Sequence, residues 1–136
     1  MDEEGGALAV VIDGANVHDV KLLDATLEAV VIPRPDPEEH EQQLCLDKGY
    51  DSSTGRSAAE KHGYTPHIRC IGEEATARRH KKAKPRRWVV ERTLGWLSKC
   101  RAILVRYDKN WFNYLGLIQL ACALLWYRRA HRLGAR

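Results

Sequence analysis

The sequence RRHKKAKPRRWVVERTLGWLSKCRAILVR (78–106) joins a strongly basic run to an amphipathic segment. Pro85 stands just ahead of the periodic part, where the fixed φ of proline and its missing N–H suit the start of a helix. On a helix of about 3.6 residues per turn, one broad apolar face separates from a face of small or charged residues. The apolar face holds Val89, Val90, Thr93, Trp96, Leu97, Cys100, Ile103 and Leu104; the opposite face holds Arg87, Glu91, Gly95, Ser98 and Ala102. This pattern predicts one helix over 87–104.

Glu91 is the only acid between Ala75 and Tyr107, and the residues that follow it along its face are small. A carboxylate on such an uncrowded ridge among cations can reach a metal ion that is bound to a phosphate. The alternative is an ordinary surface ion pair with Arg87, one helical turn earlier. Such a pair contributes only about 0.3–0.5 kcal/mol to stability.

Charge is distributed very unevenly along the chain. The formal net charge is +4, yet residues 1–60 carry four Lys/Arg against fourteen Asp/Glu, whereas residues 61–136 carry eighteen against four. A basic half of this kind favours a polyanionic partner, and nucleic acid is the commonest one. The alternative is a dipolar globule whose two halves neutralise each other.

The rest of the chain alternates short apolar runs with helical patterns. The sequence predicts strands at 7–12, 44–46 and 64–71 and helices at 14–30, 52–62 and 111–127, with Asn16 or Asp19 as the cap of the first helix. This alternation indicates an α/β fold with at least partly parallel strands. Three strands make a thin sheet for so much apolar helix, so either strands are missing or a partner supplies them.

The segment 111–127 is apolar almost all round, which raises the question of a membrane span. It is interrupted by Asn113 and Gln119 and lies at the lower limit of length for a bilayer, so a helix buried in the protein fits better. A basic start and an apolar leader are both absent from the first residues, and the four cysteines are widely spaced. These features predict a cytoplasmic protein with reduced thiols and neither a zinc site nor a membrane partner.

Asp47 comes directly after the predicted strand 44–46 and before a turn at Gly49. Ligands of α/β sheets gather at the carboxyl ends of the strands, although an aspartate near a glycine is also ordinary turn chemistry. Together with Glu91 and the basic field, Asp47 suits Mg²⁺ or Mn²⁺ chemistry on phosphodiesters. Two carboxylates hold one such ion weakly, and a two-metal site normally needs a third acid.

Three segments carry a resemblance to a known family. GANVHD (14–19), LCLDKGYDS (44–52) and RRWVVERTLGWL (86–97), with the apolar helix that follows, closely resemble the C-terminal part of bacterial insertion-sequence DDE transposases of the insertion-sequence-five type. The similarity extends over roughly residues 7–129. It implies a ribonuclease H-like α/β fold whose Asp-Asp-Glu triad binds two divalent ions, Mg²⁺ or Mn²⁺, for DNA cleavage and strand transfer.

The resemblance assigns roles to particular residues. Asp47 matches the second aspartate, Glu91 matches the glutamate, and Arg87 matches the arginine of the signature around that glutamate. The basic residue that ends the signature would fall on Ser98, and Lys99 lies one position away. The partner that the resemblance implies is DNA, both element ends and target.

The basic residues of the stretch 78–106 are the predicted DNA contacts. The run 78–87 contains seven Lys/Arg, which suit the phosphate backbone. Trp88 and Trp96 are expected to pack, although Trp88 lies away from the centre of the apolar face and could stack on a base. The complete predicted set is Arg78, Arg79, Lys81, Lys82, Lys84, Arg86, Arg92 and Lys99.

The first aspartate of the triad has no match, because neither Asp2 nor Asp13 occupies its position. The resemblance therefore implies a catalytic domain over 1–130 that is incomplete at its N-terminus and lacks the N-terminal DNA-binding region, followed by a disordered tail at 131–136. By itself the chain is expected to be inactive and to need the upstream half of a transposase or self-association. The alternative function is a catalytically inactive DNA-binding remnant, or an inhibitor of an intact transposase.

Overall fold

The computed structural model describes residues 1–68 and 87–134, with the side chain of Arg87 left out. Two compact units are present. The first unit combines Met1–Ile12 with Arg87–Arg136, and the second unit is Asp13–Arg86. Predictions for residues 69–71, for the run 78–86 and for residues 135–136 lie outside the described residues.

The second unit contains a two-stranded parallel sheet with two helices. Helix α1 is Asp19–Glu28, strand β1 is Gln43–Leu46, helix α2 is Ser53–Lys61 and strand β2 is Thr65–Ile68. Gln43 pairs with Thr65 and Leu46 with Ile68. Parallel strands need a crossover connection, and α2 supplies it. The strand predicted at 44–46 and the helix predicted at 52–62 are confirmed, and helices with a small parallel sheet are consistent with the predicted α/β fold.

The two helices of this unit begin in different ways. The Ser52 hydroxyl accepts a hydrogen bond from the backbone N–H of Gly55 at 3.1 Å, which is standard capping of α2. Helix α1 instead begins after His18, which makes no side-chain capping bond, so the prediction of Asn16 or Asp19 as its cap is wrong. The helices are fastened by Asp24, whose carboxylate lies 2.8 Å from Lys61 Nζ and 2.7 Å from His62 Nε2.

The first unit combines helices with the non-helical segment Met1–Ile12 among its described residues. Helix α3 is Arg87–Leu97, the short helix α4 is Arg101–Leu104 and helix α5 is Trp111–Gly134. Its core is formed by Leu97, Ile118 and Cys122. Burial raises the pKa of the Cys122 thiol, which is therefore a neutral packing group. Helix α5 reaches four residues into the segment 131–136, where the sequence predicts a disordered tail.

The single helix predicted over 87–104 is wrong, because it ends at Leu97 and restarts at Arg101. The Ser98 hydroxyl donates to the Gly95 carbonyl at 3.0 Å, and the N–H groups of Lys99 and Cys100 bond three residues back rather than four. Hydroxyl bonds of this kind compete with the helical ladder, and glycine weakens it further. The predicted apolar face is buried before the break, at Val89, Thr93 and Leu97, whereas Leu104 beyond the break is exposed.

The strand predicted at 7–12 is also wrong, since these residues form no strand in the described part of the chain. The burial that the apolar run predicted does occur: Ala7, Val10 and Ile12 pack against the core of the first unit. Apolar side chains can be buried against helices without any strand partner, so burial alone does not make a strand.

Helix α5 has apolar side chains on its buried side and also on a side that is exposed. Leu120, Leu124 and Tyr127 form an exposed stripe at helical spacing, and Trp111 and Phe112 stack at its N-terminal end with ring centroids 3.6 Å apart. Among the described residues, none of the helices has the length and apolar character that crossing a bilayer requires.

Candidate functional site

Asp47 stands at the carboxyl end of β1, as predicted. Its Oδ1 accepts a hydrogen bond from the backbone N–H of Gly49 at 2.9 Å and so caps the 3₁₀ turn Lys48–Tyr50. The side chain is exposed. A carboxylate offers about four lone-pair sites, so one amide bond fixes its direction and leaves capacity for a cation. The turn chemistry and a metal-binding role are therefore compatible.

The neighbourhood of Asp47 is acidic. Burial raises the pKa of the half-buried Tyr50 hydroxyl, and the negative charges of Asp19 and Asp47 raise it further. Tyr50 therefore remains a neutral hydrogen-bonding group at the end of the turn. The turn is closed by Asp51, whose carboxylate receives two hydrogen bonds from Arg56 at 3.1 and 2.7 Å. Arg56 is therefore paired with Asp51 and not with Asp47.

Glu91 lies on the exposed side of α3, opposite the buried residues Val89 and Thr93. Its position on the helix is thus the predicted one. Arg87 is the first residue of α3, but its side chain lies outside the described part of the chain. The two alternative roles of Glu91, as a metal ligand and as an ion-pair partner of Arg87, both stay predictions.

The predicted DNA contacts fall into three groups. The residues 78–86 lie outside the described ranges. Lys99 is exposed in the turn between α3 and α4, next to Ser98, whose hydroxyl is bonded to the Gly95 carbonyl. Arg92 lies over the Trp88 ring, with its guanidinium carbon 4.6 Å from the ring centroid, and it donates to the backbone carbonyl of Glu4. Arg92 therefore already has partners inside the first unit.

No group of three or more His, Cys, Asp or Glu side chains able to hold a metal occurs within residues 1–68 and 87–134. The two aspartates near the start of the chain are engaged locally. Asp13 accepts from the Gly14 N–H at 2.7 Å, and Asp2 accepts from the N–H groups of Gly6 and Glu4 and from Arg129. That neither is the first aspartate of a triad stays a prediction.

The first unit also contains a cleft that the sequence did not predict. It has a volume of about 680 Å³ and lies between α3, α5 and residues 3–6. Three tryptophan–arginine pairs belong to it: Trp88 with Arg92, Trp96 with Arg128 and Trp126 with Arg129, with guanidinium carbons 4.6, 5.7 and 4.9 Å from the ring centroids. The available signal was spacing, since Arg92 follows Trp88 by four residues and Arg129 follows Trp126 by three.

The acidic segment Asp2–Glu4 lies along this cleft, and Glu3 and Glu4 form part of its wall. Asp2 Oδ2 lies 2.7 Å from Arg129 Nη1, and Glu4 Oε2 lies 2.5 Å from Arg129 Nη2. Two glycines allow the close approach: Gly5 has φ +87°, and a Cβ on Gly6 would lie 2.3 Å from the Trp126 ring. Two hydrogen bonds to backbone carbonyls also hold the segment in place: Thr93 donates to the Gly5 carbonyl at 2.9 Å, and Trp126 Nε1 donates to the Ala7 carbonyl at 2.8 Å.

The contacts of Asp2 predict that the stability of the first unit depends on pH. Burial acts to raise the pKa of Asp2, but the hydrogen bonds from Arg129 and the Gly6 and Glu4 amides, with the charge of Arg129, outweigh it and hold the pKa below its ordinary value of 3.8. The folded state therefore binds this proton less tightly than the unfolded state. Its contribution to stability is complete above pH 3.8 and is lost as the pH falls through the folded pKa.

The measurement is the free energy of unfolding in urea for the parent and for Asp2→Asn between pH 7 and pH 3. We expect Asp2→Asn to be less stable at pH 7, and the difference to shrink below pH 4. A difference that stays constant down to pH 3 would show that the charge of Asp2 does not stabilise the first unit.

Comparison with known proteins gives two matches. A family model described as "Transposase DDE domain" matches residues 44–128, which include Asp47 and Glu91. A curated protein of Burkholderia cepacia, "Putative transposase for insertion sequence element IS402", is 32% identical over 136 residues, which cover 96% of this chain and 62% of that protein. The chain thus spans less than two thirds of the length of this relative. No solved structure matches.

Proposed function

Since this chain belongs to the family of transposases with a DDE domain, we propose that it is part of an insertion-sequence transposase that cuts and joins DNA, with Asp47 and Glu91 as the second aspartate and the glutamate of the triad. The carrying observation is that Asp47 stands exposed at the carboxyl end of β1 inside the matched segment. A ribonuclease H-like fold and the insertion-sequence-five type are the finer parts of this proposal.

The chemistry of the two side chains fits a hard divalent cation. Exposed carboxylates are the protein ligands that Mg²⁺ and Mn²⁺ prefer, and the amide bond to Asp47 Oδ1 orients that carboxylate without using up its acceptor sites. Asp47 and Glu91 would hold such ions, which when bound make a water molecule or a 3′-hydroxyl more nucleophilic and neutralise the reacting phosphate. Arg87 is proposed to bind the phosphate beside Glu91.

The basic run 78–87 is proposed to hold the DNA backbone without reading its sequence. Replacing Arg79, Lys81, Lys82 and Lys84 with alanine should weaken binding to unrelated duplexes equally, because phosphate contacts carry no base information. The slope of log K against log [salt] should fall by up to about 0.9 for each phosphate contact removed. Fluorescence anisotropy with two duplexes of different sequence, between 50 and about 200 mM salt, measures both quantities.

A control is available in Lys21, which is an exposed lysine of the acidic half. Replacing it should leave the slope almost unchanged. An unchanged slope for the four-residue variant would show that the run faces away from DNA.

The partner proposed for this chain is the upstream part of a transposase, with self-association as the alternative. The exposed stripe of Leu120, Leu124 and Tyr127 is unusual for a helix of a small unit, since apolar patches of this kind mark contact surfaces. The relative from Burkholderia cepacia is longer than the matched region, so that protein contains additional chain, and a corresponding segment is proposed to cover the stripe here.

A second function remains for the chain by itself. In the sequence resemblance, neither Asp2 nor Asp13 matches the position of the first aspartate of the triad. A chain that binds DNA without that aspartate would compete with an intact transposase for element ends. Adding the purified chain to an active relative should then inhibit strand transfer, and the four-residue variant of the basic run should inhibit less.

A further inference from the structure

The cleft of the first unit combines aromatic rings with unneutralised cations. Trp88 has 49% of its surface exposed, and Arg128 and Arg132 are exposed as well. Within the described residues, Arg128 and Arg132 form no salt bridge, whereas Arg129 is paired with two carboxylates. An open cleft of about 680 Å³ with rings on its wall and cations on its rim has the size and chemistry of a site for a charged, planar ligand.

We propose that this cleft binds single-stranded DNA, and that the acidic segment Asp2–Glu4, which supplies part of its wall, competes with the DNA phosphates for its arginines. The choice of DNA rests on the proposed function, whereas the competition rests on the geometry of the first unit alone. An unpaired base stacks on an exposed tryptophan, and the following phosphates pair with arginines. In a duplex the bases are already stacked on one another, so their faces cannot reach Trp88.

The charge balance of the cleft explains the competition. Four arginines line it, namely Arg92, Arg128, Arg129 and Arg132. Asp2 and Glu4 both pair with Arg129, and Glu3 adds a further negative charge to the wall of the cleft. Displacing the segment therefore restores the full positive field that attracts a polyanion. The carboxylates of Asp2 and Glu4 form two charge-assisted contacts with Arg129 that phosphate oxygens could equally form.

The segment is seated by its backbone as well as by its charges. Arg92 donates to the Glu4 carbonyl and Thr93 to the Gly5 carbonyl, so the chain continues to follow the cleft even when a carboxylate is neutralised. Asp2→Asn keeps the acceptor oxygen for the Gly6 and Glu4 amides and removes only the charge that faces Arg129. This variant should therefore loosen the segment without unfolding the unit.

The first experiment compares two substitutions that remove the same charge. Asp2→Asn breaks an ion pair with Arg129, whereas Glu3→Gln removes the neighbouring charge from a side chain that forms no ion pair in the described part of the chain. Binding of fluorescein-labelled oligothymidylate, about twelve nucleotides long, is measured by anisotropy in EDTA so that the metal ligands play no role. We expect Asp2→Asn to bind roughly two- to five-fold more tightly than Glu3→Gln.

The second experiment removes the cations and the ring. Arg128→Ala should weaken oligothymidylate binding and lower its salt slope by about 0.7, while Arg101→Ala, an exposed arginine outside the cleft, should change neither. Trp88→Ala should weaken binding roughly five-fold or more and abolish the quenching of tryptophan fluorescence that a stacked base produces. Circular dichroism of each variant shows whether the helices of the unit persist.

The results separate this inference from the proposed function. Equal affinities of Asp2→Asn and Glu3→Gln, or equal effects of Arg128→Ala and Arg101→Ala, would overturn the cleft proposal even if duplex binding by the basic run and catalysis were both found. Conversely, cleft-dependent binding of oligothymidylate in a protein that shows no metal-dependent cleavage with any upstream segment would support the cleft and contradict the transposase reaction. Tighter binding of an acidic peptide than of oligothymidylate would identify a protein partner instead and reject DNA.

Discussion

Joining this chain in frame to the upstream segment of a close relative, with its first strands and its aspartate, should yield Mg²⁺- or Mn²⁺-dependent cleavage at element ends. In that fusion, Asp47→Asn and Glu91→Gln are each expected to lower the cleavage rate by about 10³-fold or more, because residues that act as a unit lose most of their effect when one member is removed. The fold and the DNA affinity should persist, since both side chains are exposed. The measurement is single-turnover cleavage of a labelled element end.

The chain offers closely matched controls for both substitutions. Asp36 is an exposed aspartate whose Oδ1 accepts the N–H two residues later at 2.9 Å, just as Asp47 does, so Asp36→Asn removes the same charge at a turn of the same kind and keeps the acceptor oxygen. Glu60 is an exposed glutamate on α2, and Glu60→Gln matches Glu91→Gln. Neither control should slow cleavage more than about two-fold, because neither side chain is assigned to the metal site and the local hydrogen bonds involved contribute little to stability. Cleavage that survives Glu91→Gln would refute the assignment.

Melting temperatures provide a readout that does not depend on turnover. Carboxylates that share a cation repel one another in its absence, so Mn²⁺ should raise the melting temperature of the parent fusion more than that of either variant. If Glu91 were only an ion-pair partner of Arg87, Glu91→Gln would leave the Mn²⁺ effect intact.

Gly55→Ala should destabilise the second unit, although alanine is the better helix former. A Cβ at this position would lie 2.3 Å from the Tyr50 carbonyl oxygen, and the obstacle is backbone rather than a flexible side chain. We expect a net loss of about 1–3 kcal/mol in the free energy of unfolding, after the gain in helix propensity of up to about 1 kcal/mol is counted. The turn that carries Asp47 must shift to relieve the contact, so metal-dependent cleavage should fall as well.

Two other helical glycines serve as controls. A Cβ at Gly95 or Gly116 would meet no atom within 4 Å. Gly95→Ala and Gly116→Ala should therefore stabilise the protein by about 0.5–1 kcal/mol each through helix propensity. Urea unfolding of all three variants gives the comparison. A Gly55→Ala protein as stable as the Gly95→Ala protein would mean that the turn yields without cost.

Local patterns predicted the elements that hold the candidate catalytic residues. Strand β1 and helix α2 are bounded by side chains with clear roles, Asp47 at the end of the strand and Ser52 at the start of the helix. The apolar period of 87–97 likewise determines which side of α3 is buried, and so leaves Glu91 on the exposed side. In each case the decisive interaction joins residues only a few positions apart.

What the sequence could not show depends on contacts between distant residues. The bond from Thr93 to the Gly5 carbonyl joins residues 88 positions apart, and the bond from Trp126 to Ala7 spans 119. Whether 7–12 becomes a strand depends on a neighbouring strand, and hydropathy records only that the run is buried. The break after Leu97 did have a local signal in Gly95 and Ser98, but the strong apolar period concealed it.

The short connection between the acidic segment and its cleft also determines how binding responds to concentration. Asp2 and Glu4 are tied to the cleft by residues 7–12, whose apolar side chains are anchored in the core of the same unit. Tethered groups of this kind act at an effective concentration on the order of millimolar, whatever the concentration of the protein. Diluting the protein lowers the encounter rate with DNA but not with the segment. The same residues supplied as a free peptide should therefore compete poorly, and a DNA strand should displace the tethered segment only when several of its phosphates are presented together.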